Sequence, residues 1–202
     1  DYTYIPEMGL EVLLGIARFW YQRATFSKFR NQYVILGVTG PNEYENNVNN
    51  NWYTNKMASW TLSYTMGELE QLKNEDGTAY NQLIKKTGLK PGDETLAWKD
   101  IVEKLHFPYE ENLKVFLQQD GFLDKEQLMA ADLNPAERPI NQHWSWDRIL
   151  RSCFIKQADV LQGIFVFEDE FDQETMKRNF DFYEARTVHE SSLSPCVHAI
   201  LA

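Results

Sequence analysis

The sequence predicts an all-α chain in which long amphipathic helices alternate with long loops, the pattern of an α/α toroid. Apolar residues recur at three- and four-residue spacing over long stretches, as in Leu10, Leu13, Leu14, Ala17 and Trp20, and again from Trp52 to Leu72. Turn and start signals punctuate these stretches: Pro6-Glu7, Asp76-Gly77, Lys90-Pro91-Gly92-Asp93 and Pro195. Two-residue alternation is confined to one short run, Leu113 to Leu117, which ends at Asp120-Gly121.

The first helix starts at Pro6, where a proline suits the first turn and the following Glu7 complements the positive helix end. In the second helix, Met57, Trp60 and Tyr64 form one stripe, and Leu62, Met66 and Leu69 another. Asp76-Gly77 then makes a turn, and a short helix runs from Ala79 to Lys86, stopping before Gly88. The turn at 90–93 leads into a helix to about Leu105, capped by Asp93 or Thr95. A strand excursion is expected near 113–122. A long loop covers Asp132 to Gln142, broken by Pro135 and Pro139. Four further helices are expected, over 145–153, 158–167 and 173–183, and after Ser192 or Ser194.

Composition narrows the function classes. The 202 residues are enough for one sizeable core. A net charge of −10 argues against nucleic acid as partner, which calls for a basic patch. Two cysteines, Cys153 and Cys196, are too few for a disulfide framework, and both lie in apolar helical patterns that predict buried thiols. No apolar run reaches the ~18 residues of a membrane span, and no Asn-x-Ser/Thr acceptor occurs, so a cytoplasmic location is expected. His106, His143, His189 and His198 are scattered in sequence, so no metal site is expected, and nothing resembles a glycine-rich nucleotide loop. The chain opens on Asp1 without Met and ends inside an apolar helical pattern, so it is expected to be a piece of a longer protein.

Three segments carry candidate chemistry. In the first, the apolar run Ile35 to Val38 stops at Gly40-Pro41, and Glu43 follows between Asn42 and Tyr44, ahead of an Asn run and Trp52. An acid on a rigid turn beside amides and aromatics suits a sugar site: ring faces stack on sugars, amides bond hydroxyls, and a carboxylic acid protonates a glycosidic oxygen. The plain alternative is a turn with an exposed glutamate. In the second segment, Lys156-Gln157 can bond sugar hydroxyls or neutralise phosphate; the alternative is a polar step at a helix start with Asp159 as cap. In the third, Thr187-Val188-His189-Glu190-Ser191-Ser192 offers hydroxyls, an imidazole and a helix start to an anion, or is only a capping cluster. Glu190 is out of place in an anion site and either points away or pairs with Arg186. Around Trp144 and Trp146, the cluster 143–147 is either a second aromatic platform or core. Glu45 is a decoy acid nearby, off the motif position.

In order and residue type, the stretch Gly37 to Asn55, with Gly40-Pro41-Asn42-Glu43-Tyr44, closely resembles the catalytic-acid segment of glycoside hydrolase family 65. Phe154 to Val160, Thr187 to Ser194 and the helix Glu11 to Trp20 also resemble family segments, in the same order, so the resemblance covers most of the chain. That family holds inverting phosphorylases of maltose, trehalose, kojibiose and nigerose, with some trehalases. The resemblance implies the C-terminal portion of an (α/α)6 catalytic barrel over residues 1–202, with an N-terminal β-sandwich, the rest of the barrel and a C-terminal sheet domain outside this chain. It further implies Glu43 as general acid, Lys156 and Gln157 as binders of the glucosyl unit, and His189, Ser191 and Ser192 as phosphate ligands. Inorganic phosphate is then the co-substrate, with no cofactor, no metal and a homodimeric assembly. The acid loop has the form of members acting on maltose, which implies maltose and phosphate giving β-glucose 1-phosphate and glucose. The other family disaccharides, a trehalase-like hydrolase using Glu190 as base, and a non-catalytic sugar-binding module are the alternatives. An acid working near neutral pH is expected to have a raised pKa.

Overall fold

The structure, a computed structural model, describes residues 4–202 and divides the chain into two compact units. The first comprises the chain up to Ile35 together with Asn55–His106; the second comprises Leu36–Thr54 and Phe107–Ala202. Both are helical, as the sequence predicts.

In the first unit, a π-helical turn, Ile5–Gly9, leads into α1 (Leu10–Arg23). It is followed by α2 (Trp52–Glu75, which starts in the second unit), α3 (Gly77–Thr87) and α4 (Pro91–Lys104). Leu10, Leu14 and Ala17 of α1 pack with Leu62, Leu69 and Leu72 of α2, Leu83 of α3, and Trp98 and Ile101 of α4. Arg18 holds Glu94 through two bonds of 2.7 and 3.0 Å. The Asp76 side chain accepts from the amides of Thr78 and Ala79, so α3 starts two residues earlier than the apolar spacing indicates. Gly88, at φ +64°, ends it as a left-handed cap. Pro91 starts α4, which puts Asp93 and Thr95 inside the helix rather than at its cap. A hairpin that the sequence reading did not foresee, β1 (Thr25–Ser27) against β2 (Gln32–Val34), follows α1. Its strands are three residues long, too short to show an alternating pattern.

The second unit is richer in loops. The strand excursion is confined to β3 (Tyr109–Glu110) paired with β4 (Val115–Phe116). The expected long loop is subdivided by 3-10 turns and by α5 (Ile140–His143), followed by α6 (Trp146–Arg151). The last three helices are α7 (Val160–Val166), α8 (Gln173–Glu184) and α9 (Ser194–Leu201). One core gathers Trp52, Phe122, Cys153, Val160, Ile164, Tyr183 and Val197. A second gathers Tyr44, Ile140, Trp144, Ile149, Phe154 and Val188. Close packing demands Gly163 on α7, because a Cβ there would lie 2.5 Å from the Trp52 ring. Cys153 is buried as expected, but Cys196 is exposed: α9 turns that position away from Val197 and His198, the buried side of the helix.

Candidate active site

All three sequence segments meet in the second unit, each just ahead of a helix. The acid loop is closed at its base by an antiparallel bridge in which Val38 and Val48 exchange two 2.9 Å backbone bonds. Left-handed turns at Gly37, Asn47 and Asn50 (φ +62°, +51° and +53°) let the chain fold back on itself. The Asn run is therefore scaffold. Asn49 accepts from the Gly37 amide, Asn50 donates to Asp120, and Asn51 reaches both Asp159 and the Gln118 carbonyl. Asn42 is scaffold too: it is fully buried, and its side-chain oxygen accepts from the amides of Tyr44 at 3.1 Å and Lys156 at 3.0 Å. The Asn side chains of this segment thus hold the loop.

Asp159 stands at the centre of this scaffold. It occupies the N-cap position of α7 but gives its side chain no bond there. Its carboxyl instead accepts from the Asn42 amide at 3.2 Å and from Asn51 Nδ2 at 3.0 and 3.1 Å. Burial pushes its pKa up to about 7, against the opposing hydrogen bonds of Asn51 and Asn42. Gly40 passes so close that a Cβ there would lie 2.4 Å from Asn51 and 2.5 Å from Asp159. The signal in sequence was a lone acid between Ala158 and Val160; its partners lie over a hundred residues away.

This scaffold places Glu43 against Lys156, with Nζ 2.5 Å from the carboxylate. The Glu43 side chain is 57% exposed and that of Lys156 22%. The Lys156 bond and charge hold the Glu43 carboxyl below the usual range, with a smaller contribution from Gln157. The raised pKa expected of a catalytic acid is thus reversed here, because the nearest partner is a cation and the carboxyl is open to water. Gln157 is buried, and its side-chain oxygen has no partner among the described residues. Glu45, already off the motif position, is buried against Lys125.

The third segment is joined to the second by a parallel bridge between Ile155 and Thr187, in which Val188 donates to the Ile155 carbonyl at 2.8 Å. His189 adopts a left-handed conformation (φ +54°), uncommon for a side chain of this size. Its Nδ1 lies 2.8 Å from Ser194 Oγ and its Nε2 3.2 Å from Glu184. Ser191 Oγ accepts from the Leu193 amide, and Ser192 is exposed. Glu190 does not pair with Arg186, whose guanidinium bonds Gln127 and the Phe182 carbonyl. Glu190 instead accepts from the Tyr44 hydroxyl and from the Ile140 amide at 3.0 Å.

Two further clusters are placed by the fold. His189 and His198, remote from metal-ligand spacing in sequence, come together around Glu184, and the ligand atoms of the three lie within 4.8 Å of one another. Each Glu184 oxygen is bonded to one imidazole. Trp144 belongs to the core rather than to a sugar platform: it is 8% exposed, donates to Glu137 at 3.0 Å and carries the Arg148 guanidinium on its face. Trp146 is exposed.

The comparisons agree in kind. Residues 1–202 match the family model described as the glycosyl hydrolase family 65 central catalytic domain. The chain is 54% identical over 202 residues to a maltose phosphorylase of Bacillus subtilis (strain 168), covering 100% of this chain and 26% of that one. It is 35% identical to a kojibiose phosphorylase of Halothermothrix orenii and 36% to an alpha,alpha-trehalose phosphorylase of Thermoanaerobacter brockii, again covering 100% of this chain and 26% of each relative. A solved structure described as a kojibiose phosphorylase from human microbiome superposes with a TM-score of 0.89 at 34% identity, over 100% of this chain and 27% of that one. The chain thus spans about a quarter of the length of the relatives it matches.

Proposed function

Because the chain belongs to glycosyl hydrolase family 65, we propose that the full-length protein is an inverting phosphorylase. Its reaction is maltose plus inorganic phosphate to β-D-glucose 1-phosphate and D-glucose. The observation that carries the choice of maltose is the 54% identity to a maltose phosphorylase, against 35% and 36% for the kojibiose and trehalose enzymes. Phosphorolysis is preferred to hydrolysis because Glu190, the carboxylate a hydrolase would draft as base, is already bonded to Tyr44 and Ile140.

Glu43 gives its proton to the glycosidic oxygen as the bond to the anomeric carbon breaks. A phosphate oxygen forms the new bond from the opposite face, which inverts the configuration. Lys156 and Gln157 bind the glucosyl unit; the buried Gln157 oxygen, without a partner among the described residues, still has a bond to accept. His189, Ser191 and Ser192 hold the phosphate, His189 by exchanging Ser194 or Glu184 for it. Glu43 must be protonated to act, whereas Lys156 favours its charged form. When Lys156 turns to the sugar and a phosphate dianion arrives, both changes raise the Glu43 pKa toward working pH.

The test is to incubate the full-length protein with maltose, with and without phosphate, and follow both products. Equimolar glucose and glucose 1-phosphate formed only with phosphate is the expected result. Glucose released equally without phosphate would mean hydrolysis, and turnover only on trehalose, kojibiose or nigerose would correct the linkage. Maltose binding without turnover would leave a sugar-binding module.

A further inference from the structure

We propose that Glu190 is a positioning residue that fastens the acid loop to the phosphate segment, and that it takes no part in proton transfer. This rests on the phosphorylase reading above. Glu190 sits between His189 and Ser191, where a free carboxylate would repel an incoming anion. It is not free. Its Oε2 accepts from the Tyr44 hydroxyl, and the Ile140 amide lies 3.0 Å from both carboxylate oxygens. Tyr44 follows Glu43 directly, is 2% exposed, and is packed with Ile140, Phe154 and Val188. Its ring also lies 5.8 Å below Lys156 Nζ, the group that bonds Glu43. One carboxylate thus ties together the residue after the acid, the start of α5 and the middle of the phosphate segment.

Two donors draw the Glu190 charge toward the protein and away from the anion side. They fill Oε2, and Oε1 already shares the Ile140 amide, so the carboxylate is engaged by the protein rather than aimed at a water. Because Oε2 lies within reach of both donors, the carbonyl oxygen of a glutamine placed there can accept from Tyr44 and Ile140, losing only the share of the Ile140 amide that Oε1 takes. This separates positioning from proton transfer: the first survives loss of the charge and the second does not.

The experiment measures maltose phosphorolysis by full-length Glu190→Gln, Glu190→Ala, Tyr44→Phe and the Tyr44→Phe/Glu190→Ala double variant. The glutamine variant is expected to keep kcat and phosphate KM within about threefold of the parent, because its carbonyl oxygen can take both bonds. Glu190→Ala and Tyr44→Phe are each expected to raise phosphate KM and lower kcat by roughly tenfold, with maltose KM within about twofold. The double variant should be no worse than Glu190→Ala alone, since both remove one interaction. If the alanine variant does not fold, Tyr44→Phe and Glu190→Gln still decide the matter. A folded Glu190→Gln that has lost activity in a parent that phosphorolyses maltose would overturn this inference alone. A parent that hydrolyses maltose, with Glu190→Gln abolishing that hydrolysis, would overturn both this inference and the phosphorylase reading. An unchanged phosphate KM in both Glu190→Ala and Tyr44→Phe would also refute the coupling.

Discussion

The two units are held in shape by different forces. In the first, apolar faces of α1 to α4 meet around Leu14, Leu62, Trp98 and Ile101. Among the described residues, its buried polar side chains are only Asn55, Thr61 and Thr65. The second unit buries Asn42, Asn51, Gln118, Gln157, Asp159, Asn179, Thr187 and Ser194, among others. Several of these hold the loops that carry the candidate site. Apolar burial is non-directional and tolerates adjustment. A buried amide or carboxyl specifies position, because an unmade bond costs as much as the group's lost hydration. The first unit is therefore built on apolar contact, and the second devotes part of its interior to placing Glu43, Lys156 and the 187–192 segment.

This contrast can be broken by mutation, and the largest effect belongs to the apolar unit. Trp98→Ala should cost about 3–5 kcal/mol of stability while the folded fraction keeps its specific activity. Denaturant titration with activity per folded molecule checks this; a loss of specific activity would mean that the first unit shapes the site. Next is Glu43→Gln, which should lower turnover by about a hundredfold or more. It should leave stability nearly unchanged, because the side chain is largely exposed. Normal turnover would remove Glu43 from the mechanism.

Gly40→Ala tests the polar scaffold. The new methyl must displace Asn51 and Asp159, with a cost of about 1–3 kcal/mol and a fall in kcat of roughly tenfold. A smaller change in activity than in stability would show that the acid loop does not depend on this contact.

The smallest effect per step is the pH linkage of Asp159. Its folded pKa is about 7 because burial disfavours the charge, above the ~3.9 of an unfolded chain. Below about pH 4 the group is protonated in both states and adds no pH dependence. Between about pH 4 and 7 the unfolded chain releases its proton while the folded chain keeps it, so stability falls by up to about 1.4 kcal/mol per pH unit. Asp159→Asn removes that slope. Midpoints of thermal unfolding for the two proteins across this range measure it; parallel curves would mean that Asp159 is charged throughout.

The same contrast explains what could be read in the sequence. Helices α1, α2, α7 and α8 follow from a local apolar period. The three site segments were legible as motifs: an acid after Gly40-Pro41, a Lys-Gln pair and a His-Ser cluster, each ahead of a helix. What could not be read is what holds them. Asn42 to Lys156, Asn51 to Asp159 and Tyr44 to Glu190 join residues separated by 114, 108 and 146 positions, and no local pattern encodes such pairs. The sequence misplaces Cys196, and leaves Trp144 open between platform and core, for a related reason: a short apolar run does not say which side of a helix faces inward.

The central claim is inversion by an acid on one face and phosphate on the other. Its most direct test is to follow the reaction of full-length protein with maltose and phosphate by NMR from the first turnovers. The β anomer of glucose 1-phosphate as the initial product is predicted. The α anomer, or free glucose without a sugar phosphate, would contradict the account.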